Sequence, residues 1–391
     1  FWLKALNVQV FGRPTTQHFW NLGMNFAIAS ITGGVVVGGI AFARWKSMRP
    51  IAHISTGEQR RKLCPPSKPI GPGAAAQVNA ADISVKREVH TLQNGDQIFY
   101  QILSSTGRAA SHVFVFFHGY SSQSDQYLEP VASLARQGAV VVLPDLPGHG
   151  RSDGLLAYVP DWWSWVDQVW EALEHLVPQA RKQGEKVMPV FAGGFSMGGG
   201  LAACMAIQRP TFFDGIILIA PMLVISDEVM PPVLVQKGFQ YLLKPLMPTW
   251  PITPSKDLMD LDFRVPGQGK AFFSCSPLGM QGLKPRLATA NAFAFTFPQW
   301  MEQNLARIRT PFLVLHGTSD RVTDPSMSER FHKEATAADK TLKLYDGAYH
   351  CELLLCLPGN SELIGMEWLP EQSAMTQTCL KDMAEWMAAR V

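Results

Sequence analysis

The residues best equipped for covalent chemistry lie in Gly194-Phe195-Ser196-Met197-Gly198. A serine hydroxyl attacks a carbonyl carbon only when its conformation and surroundings activate it. The flanking sequence supplies the conformation: an apolar run, Met188–Ala192 (MPVFA), precedes the motif, and a small-residue run, GGGLAACMA, follows it. In the order strand, motif, helix this predicts a sharp turn with Ser196 at its tip. Glycines two residues to either side leave out the Cβ atoms that would clash there. The Oγ would then project above a sheet edge, beside the N-terminus of the following helix. The chemistry this suits is acyl transfer through an acyl-enzyme.

Such a serine needs a base and a group that orients the base, and on a strand-turn-helix scaffold the chain order is Ser, then Asp or Glu, then His. Asp320 follows the apolar run Phe312–His316 in HGTSDRVTD, and His350 follows Thr341–Tyr345 in DGAYHCELL. His350 is expected to take the Ser196 proton and pass it to the leaving alcohol; Asp320 is expected to orient the imidazole and stabilise its cation. Asp324 stands further from the strand end and is the weaker candidate. His332 sits in a helix-like run and reads as a surface residue. His118, His149 and His316 each precede a glycine in a turn motif and read as loop-shaping residues. The developing oxyanion needs two fixed N–H donors. The backbone of Met197 is one; the other is expected from the loop after His112–Phe117 (HVFVFF), with Tyr120 as the candidate. No cofactor is expected. The six cysteines show no CxxC or CxxH spacing, so neither a metal site nor a disulfide framework is expected.

These side chains must be positioned by strands. Unalternated apolar runs recur at His112–Phe117, Ala139–Pro144, Met188–Ala192, Gly215–Ala220, Phe312–His316 and Thr341–Tyr345. Runs of this length suit strands covered on both faces. Helix-like stretches lie between them, at Asp125–Gln137, Trp162–Val177 and Met197–Gln208, with a last one over Gln372–Arg390. The class is α/β: a mostly parallel, doubly wound sheet with helices on both faces. Residues 83–103, with Asn94-Gly95 at the turn, read as a leading β-hairpin. No strand-like run appears between Ala220 and Pro311. That interval, about residues 222–300, reads as a helical cap insertion over the C-terminal edge of the sheet.

The remainder of the chain sets the context. Of its 391 residues 47% are hydrophobic and 17% charged, with a net charge of +2. The charged share is low against the roughly 25% typical of soluble domains, and the net charge gives no long-range attraction to nucleic acid. Residues 24–43 (MNFAIASITGGVVVGGIAFA) form a 20-residue stretch without an ionisable side chain, bracketed by Trp20 and Trp45. As a helix it would cover ~30 Å, the hydrocarbon thickness of a bilayer. Residues 1–49 are therefore expected to form an arm and a single transmembrane helix, with Ser30, Gly34 and Gly38 as a small-residue ridge for a helix partner or a larger membrane complex. The basic residues after the span put the catalytic domain on the cis side of an organelle membrane, mitochondrial or plastid, or of the endoplasmic reticulum. Residues 50–81, rich in Pro, Gly and Ala, read as a linker, and 82–391 as the catalytic domain.

Taken together, FFHGY (116–120), PDLPGHGRSDG (144–154), GGFSMGG (193–199), KPRL (284–287), LHGTSDRVTDP (315–325) and ADKTLKLYDGAYH (338–350) resemble the monoacylglycerol lipase branch of the α/β-hydrolases, including its plant and bacterial lysophospholipase-like members. The resemblance covers roughly residues 82–390. It implies Ser196, Asp320 and His350 as the triad, Tyr120 and Met197 as oxyanion donors, and an apolar cap over an acyl-chain tunnel. Two features depart from the family pattern: the long N-terminal extension, and the apolar stretch between Cys351 and Pro370, which reads as an insertion. The expected function is hydrolysis of a lipid-like acyl ester, a monoacylglycerol or lysophospholipid. The alternative is an accessory subunit of a membrane complex that keeps the hydrolase fold, with or without activity. Acyl transfer to an alcohol other than water would use the same residues.

Overall fold

The computed structural model describes residues 56–67, 81–182, 187–224, 232–253, 258–279 and 284–391. They belong to one compact unit, Ile54–Val391. Eight strands form one sheet: β1 (Ile83–Thr91), β2 (Gln97–Ser105), β3 (His112–Phe117), β4 (Ala139–Pro144), β5 (Val190–Phe195), β6 (Gly215–Ile219), β7 (Phe312–Gly317) and β8 (Lys340–Tyr345). Their spatial order is β1-β2-β4-β3-β5-β6-β7-β8. The first two pairings are antiparallel; from β4 to β8 every pairing is parallel.

Strand β3 shows why the middle of the sheet reads as uninterrupted apolar sequence. All six residues of HVFVFF are buried. Side chains alternate across a strand, so Val113, Val115 and Phe117 enter one core while Phe114 and Phe116 enter the other. The first core packs under α3 (Trp162–Arg181) and α4 (Met197–Gln208); the second under α2 (Leu128–Arg136) and the C-terminal helix α8 (Pro370–Ala388). Asp161 caps α3 by accepting the N–H groups of Trp163 and Ser164, satisfying donors the first turn leaves without a helical partner. Strand β5 starts at Val190 rather than Met188, because Pro189 has no N–H for the ladder. It also runs further than its apolar residues suggest, through Gly193 and Gly194 to Phe195.

The stretch read as a linker contains a docked helix, α1 (Gly57–Leu63), opened by a capping box at Thr56. Arg60 on α1 is fully buried. Its guanidinium donates to the carbonyls of Gly150 (2.6 Å), Gly154 (3.0 Å) and Ser152. A buried cation persists only when its donors are matched in this way.

The transmembrane helix and the single-pass, organelle-membrane localisation expected above are withdrawn. Among the described residues no helix is long and apolar enough to cross a membrane. The 24–43 stretch and its Ser30, Gly34 and Gly38 ridge lie outside the described residues, and nothing in the described part supports a membrane or membrane-complex partner.

Between β6 and β7 the described residues contain no strand. They form short helical pieces at Val233–Gly238, Leu287–Asn291, Phe297–Asn304 and α5 (Gln268–Ser274). Their contacts converge on loops at the C-terminal ends of strands. Phe293 packs edge-on against Tyr120 after β3, and Thr289 Oγ1 accepts the Val159 N–H after β4. The Asp262 carbonyl accepts the Cys351 N–H after β8. Helices α6 (Pro325–Glu334) and α7 (Pro358–Ile364) complete the scaffold.

Candidate active site

Strand β5 delivers Ser196. The chain leaves the sheet at Phe195 and turns at once, with Ser196 at φ 55° and ψ −116°, a region an L side chain occupies only under constraint. The constraint is visible. Ser196 N–H donates to the Ile219 carbonyl at 2.9 Å, and the Ser196 carbonyl accepts from Met222 N–H at 2.8 Å and Gly200 N–H at 3.1 Å. The turn closes only because two side chains are missing. A Cβ on Gly198 would strike the Phe117 carbonyl, and one on Gly194 would strike the carbonyl group of Gly198. The same close approach brings the start of α4 against the end of β3, where the His118–Tyr120 loop begins.

Strands β7 and β8 deliver the other two groups. His350 is buried, and its Nδ1 lies 2.6 Å from Asp320 Oδ2. Asp320 Oδ1 accepts the backbone N–H groups of Val322 (2.8 Å) and Thr323 (3.0 Å). Its Oδ2 also accepts from the Thr323 hydroxyl at 2.9 Å and lies 3.1 Å from His316 Nε2. His316 is held from behind, Nδ1 to Ser328 Oγ at 2.6 Å. The imidazole of His350 rests on the ring of Phe195, centroids 4.7 Å apart, beside the residue that precedes the serine.

Burial alone would raise the Asp320 pKa, but the positive charge of His350 and hydrogen bonds from His316 and His350 outweigh it and hold the carboxyl well below the usual range. Burial alone would lower the His350 pKa; the Asp320 charge and hydrogen bond, with the charge of Asp262, raise it above the ordinary histidine value. The site therefore keeps a fixed anion behind an imidazole that readily accepts a proton.

The remaining expectations sort by their contacts. Asp324 is occupied elsewhere: it caps α6 through the Ser326 N–H at 2.9 Å. His332 is partly exposed on α6. His118 is fully buried and staples two loops, Nδ1 to the Gly119 carbonyl at 2.8 Å and Nε2 accepting the Leu146 N–H at 2.9 Å. His149 holds the Pro147 carbonyl at 3.0 Å. His316 does more than shape a loop, because it bears directly on Asp320. Neither its role nor that of Thr323 is read from the sequence, although both stand within four residues of Asp320 in HGTSDRVT. Tyr120 is fixed through its side chain, which donates to the Ala157 carbonyl at 3.0 Å and stacks edge-on with Phe293. Among the described residues, neither the Tyr120 N–H nor the Met197 N–H finds a protein acceptor.

A family model described as serine aminopeptidase, S33, matches residues 108–354. The chain belongs to this family. Within it, the chain is a monoglyceride-lipase-like α/β-hydrolase and a carboxylic ester hydrolase. Caffeoylshikimate esterase of Arabidopsis thaliana is 31% identical over 76% of this chain and 83% of its own length. Human monoglyceride lipase is 30% identical over 66% of this chain and 80% of its own length. Two solved structures share the α/β-hydrolase fold. A soluble variant of Saccharomyces cerevisiae monoglyceride lipase superposes with a TM-score of 0.64, at 19% identity over 82% of this chain and 99% of that one. The monoacylglycerol lipase of Paleococcus ferrophilus gives 0.56, at 22% identity over 79% of this chain and all (100%) of that one.

Proposed function

We propose that this S33-family hydrolase cleaves acyl esters of lipid-like alcohols through a triad of Ser196, His350 and Asp320. The observation that carries the reading is the 2.6 Å contact from His350 Nδ1 to Asp320 Oδ2, on an imidazole packed against Phe195. With Nδ1–H held by the carboxylate, Nε2 is left as the basic nitrogen of a neutral ring. His350 Nε2 takes the proton as Ser196 Oγ attacks the ester carbonyl carbon. The negative oxygen of the tetrahedral intermediate is received by the N–H groups of Met197 and Tyr120, the former also at the positive end of α4. Collapse breaks the bond to the alcohol, which leaves with the His350 proton. Water then repeats the sequence on the acyl-enzyme and returns Ser196.

For the substrate, a monoacylglycerol fits the naming of the monoglyceride lipase relatives, and a lysophospholipid presents the same single acyl ester. Either also fits the exposed apolar series Val233, Leu234, Tyr241, Leu242 and Leu246 in the region proposed as a cap. A caffeoyl ester is the second reading, motivated by the 31% identity to the Arabidopsis esterase. The test is hydrolysis of a panel of monoacylglycerols, lysophospholipids and a caffeoyl ester by the wild-type protein and Ser196→Ala. The proposal expects the highest kcat/KM on a monoacylglycerol or lysophospholipid and loss of turnover in the variant. Preference for the caffeoyl ester would replace the lipid reading, and turnover surviving in Ser196→Ala would overturn the mechanism.

A further inference from the structure

Two residues beyond His350 stands a carboxylate that the catalytic scheme does not use. Glu352 is fully buried, and its two oxygens are shared among three parts of the chain. Arg264, in the segment between β6 and β7, forms a bidentate pair with it: Nε to Oε1 at 2.9 Å and Nη2 to Oε2 at 2.7 Å, with its backbone N–H adding a bond of 3.0 Å. Gln372 on α8 donates to Oε1 at 2.8 Å. The Tyr349 N–H, on the Ala348–Tyr349 peptide, donates to Oε2 at 3.1 Å. Arg264 Nη2 also reaches the Gly347 carbonyl at 3.2 Å, so one guanidinium grips the loop on both sides of His350. The Asp262 carbonyl adds a bond to the Cys351 N–H at 2.9 Å.

A buried carboxylate is costly, and removing one partner of such a pair leaves an uncompensated charge. Apolar side chains of similar volume could fill the same space at least as stably. What they could not do is fix the direction of the Tyr349 amide or tie residues 262–264 to the loop in a single bidentate geometry. We infer that Glu352 is a positioning residue for His350, and that Arg264 couples its setting to the segment between β6 and β7. This rests on the reading of His350 as the base. The charged groups that act on the imidazole are Asp320, in direct contact, and Asp262, with His316 behind Asp320. A loosened loop would weaken the Asp320 contact, and because that contact raises the His350 pKa most, the pKa would fall with it.

The test compares Glu352→Gln, Arg264→Gln, Arg264→Lys and the Glu352→Gln/Arg264→Gln pair on a water-soluble short-chain nitrophenyl ester, with melting temperatures in parallel. Glu352→Gln is expected to lower kcat on the order of 10- to 100-fold, the range for a sub-ångström to ångström misplacement of a catalytic group, with KM changed less than about threefold. The acidic limb of its kcat/KM profile should fall toward the ordinary histidine value. Arg264→Gln should move both readings the same way by less, Arg264→Lys should recover part of the loss, and the double variant should resemble Glu352→Gln alone. A lower melting temperature with wild-type kcat and an unmoved acidic limb would overturn the inference, as would single effects that simply multiply in the double variant. If Glu352→Gln does not fold, the Arg264 pair decides by the same criteria. Ser196→Ala and His350→Ala run alongside: should both stay active, the catalytic reading fails and takes this inference with it, whereas their inactivity beside an unaffected Glu352→Gln removes the inference alone.

Discussion

His350 and His118 are both sealed from solvent at the C-terminal edge of one sheet, the first after β8 and the second after β3, and they are wired in opposite ways. His118 and its neighbour His149, rings 5.3 Å apart, bond to backbone groups. Burial pushes the His118 pKa down to about 4; burial and the nearby His118 charge push His149 down to about 3. His350 is as deeply buried, yet Asp320 beside it raises its pKa. Burial alone turns an imidazole into a neutral staple. Burial with a hydrogen-bonded carboxylate turns it into a base. The three histidines differ less in sequence context than in the company the fold gives them.

The harshest way to break this contrast is Asp320→Asn, which puts His350 in the condition of His118. Loss of kcat on the order of 10⁴-fold is expected by analogy with other triads, from steady-state turnover of a soluble ester. The reverse experiment is His118→Leu. It strands the buried Leu146 N–H, so unfolding in urea should show a loss of about 1–3 kcal/mol, while the pH profile of the surviving activity stays in place. Thr323→Val removes one hydroxyl from Asp320 and should cost about 1 kcal/mol of transition-state stabilisation, roughly a fivefold fall in kcat/KM. The smallest signal is in the unmodified enzyme. The base form of His350 is lost as pH falls through its folded-state pKa. Because that pKa is raised, the acidic limb of kcat/KM should lie above the ordinary value of about 6.5. A limb below it would place His350 with the staples.

The strand-turn-helix setting of Ser196 is legible in the sequence because local geometry alone demands it: two glycines, an apolar run before and small residues after. Asp320 and His350 are legible as residues at the ends of apolar runs, since a parallel sheet collects its strand ends on one edge. The order of the eight strands is less so, because β3 and β4 exchange places through crossovers that no local pattern encodes. His316 and Thr323 were hidden for another reason. Their bearing on Asp320 depends on a tight turn whose hydrogen bonds appear only when the loop is folded. Arg60 and the Glu352–Arg264 pair were out of reach altogether: Arg60 finds its carbonyl partners 90, 92 and 94 residues away in the chain, and Glu352 finds Arg264 88 residues away. The apolar stretch at 24–43 gave the opposite error, a local pattern strong enough to suggest a membrane span that nothing in the described residues supports.

The most direct test of the account is mass spectrometry of the purified protein after reaction with a fluorophosphonate, which reports a serine activated by a neighbouring base. A single adduct at Ser196, formed faster as pH rises through the His350 titration and absent from His350→Ala, is the expected result. An adduct at another residue, or none at Ser196 while ester hydrolysis continues, would contradict it.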